Sequence, residues 1–465
     1  MPPPWRWAAA EYKDDASTQQ TVAEQYVRAN LGMNSGLLAN LGEIEVQQGT
    51  GADQTRTFTV TAAVRNVPML LGVAARDLEV SSTVEARQAS TEVSLILPNT
   101  GAEGADNLAV LRRLGKDFAR ELIDDNDNTW LALVPYSQSV SVYDAEQPNR
   151  IRDWSTAAGL RPVELTSLFR SGYANLADAR MPDRRSKILC MYRGLNRGEN
   201  YFWDQAPSGQ FLIYYRADIP SNDGNINPYT ISWIGPNPEF GQATGTNDTR
   251  TLITDRGCPS AALLPLTNDL DKIDARLDAM STRFNVNYAI AMGWGAMALA
   301  PAFQGDSGWA LDDNLPKEFD DVSGDRLKAM VMLVNSTDTR WFDTDAYNAY
   351  VGEKIDGDSD LGGGDDSVVT QRFTNLCNSL RARHLRVFVL VTGNDEAQDE
   401  DGKITSASDF RRIAGAGLAA CAQKSSDITY YTGADFVASE SALSKRLGQI
   451  VDELHQESNF VRLIH

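Results

Sequence analysis

Histidine is almost missing from this chain: His384, His455 and His465 are the three in 465 residues. Serine chemistry of the Ser-His-Asp kind needs an imidazole beside the nucleophile. His384 falls at a helix–strand junction, His455 ends the last long helix and His465 is the final residue, so no Ser-His-Asp site is expected. The four cysteines, Cys190, Cys258, Cys377 and Cys421, form no Cys-x-x-Cys pair. With so few histidines to complete a ligand set, a zinc site is not expected either. No run reaches the roughly 18 apolar residues a membrane helix requires, and Met1 to Asp15 lacks the apolar stretch of a secretory signal. Glycine-rich phosphate loops are missing as well: there is no Walker A pattern, and no G-x-G-x-x-G follows a strand. Basic residues are the minority, 43 Lys and Arg against 63 Asp and Glu, for a formal charge of −20 and a pI of about 4.6. That balance excludes nucleic acid as a main partner, because phosphate binding needs clustered cations. Carboxylates are so abundant that no single pair of them points to acid–base chemistry.

What remains is an ordinary globular composition, 42% hydrophobic and 23% charged, long enough for two or three domains or for one with large insertions. Residues 16–31 predict a helix, with Val22, Tyr26 and Ala29 on one face. Three segments then alternate with period two: 43–48, 56–64 (Phe58, Val60, Ala62, Val64) and 77–86 (Leu78, Val80, Ser82, Val84). Such alternation predicts an antiparallel sheet with one wet face. Residues 1–88 are therefore expected to form a small helix-plus-sheet module.

A different rhythm begins at Thr91. Val93, Leu95, Ile96 and Leu97 make a short apolar run, a glycine-bearing loop follows, and Leu111, Leu114, Phe118 and Leu122 then recur at helical spacing. Strand, loop and helix is how an open parallel sheet begins, and such sheets carry their binding loops at the strands' carboxyl ends. A second strand is expected at 130–136. Residues from about 138 to 258 break the alternation and read as a long insertion carrying Trp154, Trp203 and Trp233. The core resumes with Thr267 as N-cap of a helix, then an almost wholly apolar helix at 287–299 whose glycines predict close packing on the sheet. A strand at 327–334 is followed by alternating helices and strands: 370–383, 386–392, 406–421, 428–432 and 439–455. The alternation predicts an α/β fold with a mostly parallel sheet over 89–465. By composition alone the cysteines are either four buried thiols or two disulfides.

Four blocks give this pattern a more specific likeness. They are the 91–104 strand and loop with Leu131-Ala-Leu-Val-Pro-Tyr-Ser137; Cys258-Pro259 followed by Leu266-Thr267-Asn268-Asp269; Ile290-Ala-Met-Gly-Trp-Gly295 with Leu299-Ala-Pro301; and Leu376-Cys377 with Ala420-Cys421-Ala422 and Tyr430-Tyr431. In this order they resemble the TadG-like proteins of tight-adherence (Tad) pilus systems, which carry a von Willebrand factor A (vWA) domain. The resemblance runs from about residue 16 to the end and is weakest in the insertion. It implies a vWA-like doubly wound sheet of strand order 3-2-1-4-5-6, an extracytoplasmic location at the periplasm, cell surface or pilus, and disulfides pairing Cys190 with Cys258 and Cys377 with Cys421. Family members normally start with a membrane anchor helix, which is missing from this chain; truncation, processing or another means of tethering would each account for that.

A vWA metal loop reads Asp-x-Ser-x-Ser and is completed by a threonine and a second aspartate. In the matching frame this chain has Pro98, Thr100 and Ala102, with Val286 in the threonine's place and Asn335 in the aspartate's. Thr100 alone keeps its oxygen, so the resemblance implies a degenerate metal site and no cofactor. Asp356, Asp358 and Asp360 resemble the start of a calcium loop, but Leu361 stands where glycine is needed and Ser367 where a bidentate glutamate is needed. A solvated acidic loop is the alternative reading. The expected function is non-catalytic: assembly of a Tad-type pilus or surface adhesion, through contacts with pilus subunits, envelope assembly proteins, or a host or surface ligand. The alternatives are a periplasmic assembly factor and an adhesin using calcium at 356–366. The insertion's Trp and Tyr residues are either its contact surface or its own core.

Overall fold

The computed structural model describes residues 20–21, 24–25, 28, 39–50, 56–66, 76–99, 104–123, 128–137, 139–147, 150–156, 190–193, 203–213, 259, 261–281, 287–312, 314–319, 325–335, 368–393, 397–398, 404–406, 415 and 417–463. In chain order the elements are β1 (Leu41–Thr50), β2 (Arg56–Asn66), β3 (Arg76–Gln88), β4 (Ser90–Pro98), α1 (Gly104–Ile123), β5 (Thr129–Tyr136), α2 (Arg150–Trp154), β6 (Met191–Tyr192), β7 (Leu212–Ile213) and β8 (Leu264–Thr267). There follow α3 (Leu270–Asp278), α4 (Tyr288–Met297), β9 (Arg326–Asn335), α5 (Val368–Ala382), β10 (Arg386–Thr392), β11 (Ala397–Gln398), β12 (Ile404–Ser406), β13 (Ile428–Tyr430), α6 (Phe436–Ser458) and β14 (Asn459–Leu463).

Two compact units result. The first comprises residues 1–90, 322–325 and 453–465, and the second residues 91–321 and 326–452. The first unit is a four-stranded sheet of order β1-β2-β3-β14, antiparallel throughout. Ile44 and Val60 are buried on one face, as period-two alternation requires. The described residues of the expected 16–31 helix (20, 21, 24, 25 and 28) are helical. Gln20 there places its carboxamide against the outer edge of β1, donating to the carbonyl of Ile44 and accepting from the N–H of Val46. An edge strand otherwise presents unpaired backbone groups, and this one side chain occupies a donor and an acceptor. β14 is an addition to the sequence reading, which ended the chain on a helix. It pairs Asn459 with Gln88 and Leu463 with Val84.

The second unit is built on a six-stranded sheet of order β13-β10-β9-β4-β5-β8. β4 runs parallel to β5, β9 to β10 and β10 to β13, while β8 is antiparallel to β5. Counted along the chain from β4, these six strands stand in the order 3-2-1-4-5-6, which is the vWA-like doubly wound arrangement. β4 lies in the middle and is buried along its whole length, as are β5 and β10, so their sequences are apolar runs without alternation.

The helices show why they form where they do. α1 turns Leu108, Leu111, Leu114, Phe118 and Leu122 inward. At Gly115 it meets α3 so closely that a Cβ there would lie 2.8 Å from Leu277. α4 is buried at every position and comes still closer to the sheet: a Cβ on Gly295 would sit 2.3 Å from Ile96 of β4 and 2.9 Å from Met330 of β9. Two boundaries differ from expectation. Asp269, not Thr267, caps α3, its carboxylate accepting from the N–H groups of Asp271 and Lys272. The Thr267 hydroxyl instead accepts from Asp269 N–H. Ser406, expected to open a helix, ends strand β12, and the helical residues described in that stretch are 415 and 417–421.

Near the amino ends of β4 and β9 a buried ion pair ties the sheet to a loop. Lys328 donates to Glu92 at 2.8 Å and to the carbonyls of Leu299 and Lys317, and the other Glu92 oxygen accepts from Lys317 N–H. Burial pushes the Glu92 carboxyl above its ordinary range and Lys328 below its own, each opposed by the attraction of its partner.

Candidate functional site

The carboxyl ends of the central strands converge on a small set of polar residues. β4 ends at Pro98 beside Tyr136 of β5, and Asn99 N–H continues the ladder by donating to Tyr136 carbonyl at 2.6 Å. The turn after β5 is closed by Ser137 N–H on the Ser139 carbonyl, and Ser137 carbonyl accepts from Asn287 N–H at 2.9 Å. Asn287 is the N-cap of α4, its side-chain oxygen accepting from Ile290 N–H at 2.9 Å. Two tyrosines then lace this end of the sheet to β9: Tyr136 hydroxyl donates to Leu333 carbonyl and Tyr288 hydroxyl to Asn335 carbonyl, each at 2.8 Å. Their rings meet edge to face at 6.1 Å. An unbroken chain of hydrogen bonds thus runs from the end of β4, across β5, to the first turn of α4 and the end of β9.

Within this frame several polar atoms have no partner. Asn99 is 0% exposed, and both its side-chain oxygen and its nitrogen lack a hydrogen bond. The Ser139 hydroxyl and the Asn287 amide nitrogen are buried and unpartnered too. An unpaired buried polar atom costs about 1–3 kcal/mol, so four of them on residues linked by these backbone hydrogen bonds are a feature to be explained.

The side chains of this hydrogen-bonded set at the end of the sheet include no carboxylate. Pro98 offers no oxygen side chain, and Asn99, Ser139, Asn287 and Asn335 are all neutral, whereas Mg²⁺ surrenders its water only to near-octahedral oxygen sets that include carboxylate. Among the described residues no group of three or more His, Cys, Asp or Glu could hold a metal ion. Of the five positions expected to mark a degenerate metal site, Pro98 and Asn335 stand at the carboxyl ends of the adjacent strands β4 and β9. Thr100, Ala102 and Val286 lie outside the described residues, as do Asp356, Asp358 and Asp360 of the acidic loop. The sequence reading missed Asn99, Ser139 and Asn287. Short polar residues after strands look like ordinary turn formers, and their burial is set by elements far away in the chain.

Cys377 and Cys421 form a disulfide across a separation of 44 residues, joining α5 to the helical turn that ends at Cys421. Cys190 is also disulfide-bonded, while Cys258, its expected partner, lies outside the described residues. Of the two readings of the insertion's tryptophans, contact surface or core, two residues take the second. Trp154 and Trp203 are each 1% exposed, and Trp233 is not among the described residues. Trp154 packs with Phe211, Trp294, Phe303 and Trp309, all with ring centroids between 5.2 and 6.3 Å away. Each indole N–H is used: Trp154 donates to Ser307, Trp294 to Met191, Trp309 to Met297 and Trp203 to Ser379. The guanidinium of Arg150 lies 5.0 Å over Trp154, and that of Arg193 lies 4.8 Å over Phe211. Desolvation lowers the Arg193 pKa to about 10. These rings fill a core, because their apolar bodies and single donors are both satisfied inside.

No protein-family model and no curated protein matches the chain. Among solved structures it is similar to the pilus adhesin SpaC from Lactobacillus rhamnosus GG, at 8% identity and a TM-score of 0.34, over 90% of this chain and 35% of that one. The chain thus spans about a third of that adhesin. It is similar to the PilB minor pilin from Streptococcus sanguinis at 10% identity and a TM-score of 0.32, over 90% of this chain and 79% of that one. The vWF domain of the type V pili tip protein Mfa5 from Porphyromonas gingivalis gives 7% identity and a TM-score of 0.33, over 80% of this chain and 97% of that one. Identities and scores this low decide nothing about function.

Proposed function

We propose that this chain is a non-catalytic, extracytoplasmic component of a Tad-type pilus, acting in pilus assembly or surface adhesion through protein–protein contacts of a vWA-like domain that needs no metal. The observation that carries the reading is the Cys377–Cys421 disulfide. It joins the two cysteines of the fourth block resembling TadG, and structural disulfides belong to oxidising compartments. The vWA-like strand order supports the same reading, and so do the neutral side chains among the described residues at the carboxyl end of the sheet, where a cation would need carboxylates.

The test is thiol labelling of unfolded, unreduced protein from its native envelope, with sheared pili and periplasm collected separately. No reactive thiol and recovery with the pili are expected. Two or more free thiols per chain would overturn the compartment, and recovery in the periplasm alone would favour an assembly factor that never reaches the surface.

A further inference from the structure

We propose that Asn99, Ser139 and Asn287 form a receptor for the terminal carboxamide of an asparagine or glutamine side chain on a protein partner. The proposal rests on the reading above of this end of the sheet as a protein-contact site that works without a cation. Two independent observations meet here. One is chemical: the Asn99 oxygen and nitrogen, the Asn287 nitrogen and the Ser139 hydroxyl are all buried without hydrogen bonds. The other is topological. β4 and β9 are adjacent at the centre of the sheet, and from them the chain winds outward in opposite directions, to β5 and β8 on one side and to β10 and β13 on the other. Open α/β sheets bind ligands outside the carboxyl ends of the strands at this switch point, and Asn99 directly follows β4.

The donors and acceptors select the ligand. The Asn287 oxygen is committed to capping α4, which fixes its nitrogen as a donor with two hydrogens. Both ends of Asn99 are open, and the hydroxyl can turn either way. A ligand must therefore accept more bonds than it donates and must still donate. A carboxamide does both: its oxygen takes two hydrogens, and its NH₂ serves the Asn99 oxygen. A carboxylate would enter without a compensating cation among these residues, into a chain carrying −20, and a buried unpaired charge is costly. An ammonium would find too few acceptors. Burial of all three side chains restricts the ligand to a small group at the end of a flexible stem, which excludes a sugar ring or a nucleobase.

The experiment follows the side-chain NH₂ signals of Asn99 and Asn287 in the ¹⁵N-labelled full chain, with propionamide as the probe and propionate and MgCl₂ as controls. Propionamide is expected to move both signals saturably, and propionate at equal concentration to leave them in place. Asn99→Leu is expected to abolish the response at Asn287 while unfolding at the same or higher urea, because it removes two unpaired polar atoms. Ser139→Ala, a smaller change, should weaken propionamide about fivefold at an unchanged urea midpoint. Signals indifferent to propionamide, or an Asn99→Leu chain that unfolds at lower urea, would overturn the proposal. Movement of the same signals by MgCl₂ would instead overturn the cation-free reading beneath it.

Discussion

Glu92 and Lys328 face each other inside the sheet, with three acceptors around the Lys328 ammonium and both Glu92 oxygens hydrogen-bonded. A buried ion pair of this kind contributes little against an apolar alternative, yet breaking it leaves one charge stranded. Glu92→Gln alone should therefore lower unfolding stability by about 3–5 kcal/mol, and Lys328→Met alone by a similar amount. The double change Glu92→Leu with Lys328→Met should cost much less than their sum. Urea unfolding of the four chains gives the comparison, and strictly additive losses would contradict it. Gly295 makes a different demand, for space. A methyl group there would stand 2.3 Å from Ile96 Cδ1 and 2.9 Å from Met330 Cε, so Gly295→Ala should destabilise by about 1–3 kcal/mol through overpacking. An unchanged thermal midpoint would show that both side chains can step aside. The glycine's role was legible in the sequence, because a glycine in an apolar helix signals close approach. The ion pair was not, since its members are far apart in the chain and one acidic residue among 63 looks like any other.

Elements were legible in proportion to how much of their signal is local. β4, β5, β9 and β10 are buried apolar runs, and α1 repeats its apolar residues at helical spacing, so neighbouring residues alone reveal them. The start of α3 was harder: Thr267 and Asp269 are both good cap residues two positions apart. Geometry separates them, since the Asp269 carboxylate receives two backbone N–H groups of the helix and the Thr267 hydroxyl receives that of Asp269. Asp269→Ala should therefore cost about 1 kcal/mol and Thr267→Ala distinctly less, measured by urea unfolding; the reverse order would return the cap to Thr267. β14 could not be read at all. It is five residues long, and its partner β3 lies near the other end of the chain. The aromatic residues of the insertion stayed ambiguous for a related reason: a tryptophan among polar neighbours can be surface or core, and distant elements supply the pocket that decides.

At the scale of the whole molecule, the larger unit is inserted into the smaller one. The first unit's sheet is begun by β1 to β3, interrupted by nearly the entire α/β core, and completed by β14. Deleting residues 459–465 should strip hydrogen-exchange protection from β3 while leaving β9 and β10 protected, because local stability follows cooperative units. Equal loss of protection in both sheets would show that the two units fold as one. The same connectivity has a mechanical meaning. Asn459 sits opposite Gln88, so the ends of the strands before the chain's first exit to the core and after its last return are clasped together. Tension applied ahead of β1 and beyond β14 is carried across the four-stranded ladder and bypasses the chain between Gln88 and Asn459 while their pairing holds. The ladder acts as a fuse: until it tears, the disulfide, the aromatic core and the polar cluster at the end of β4 feel no load.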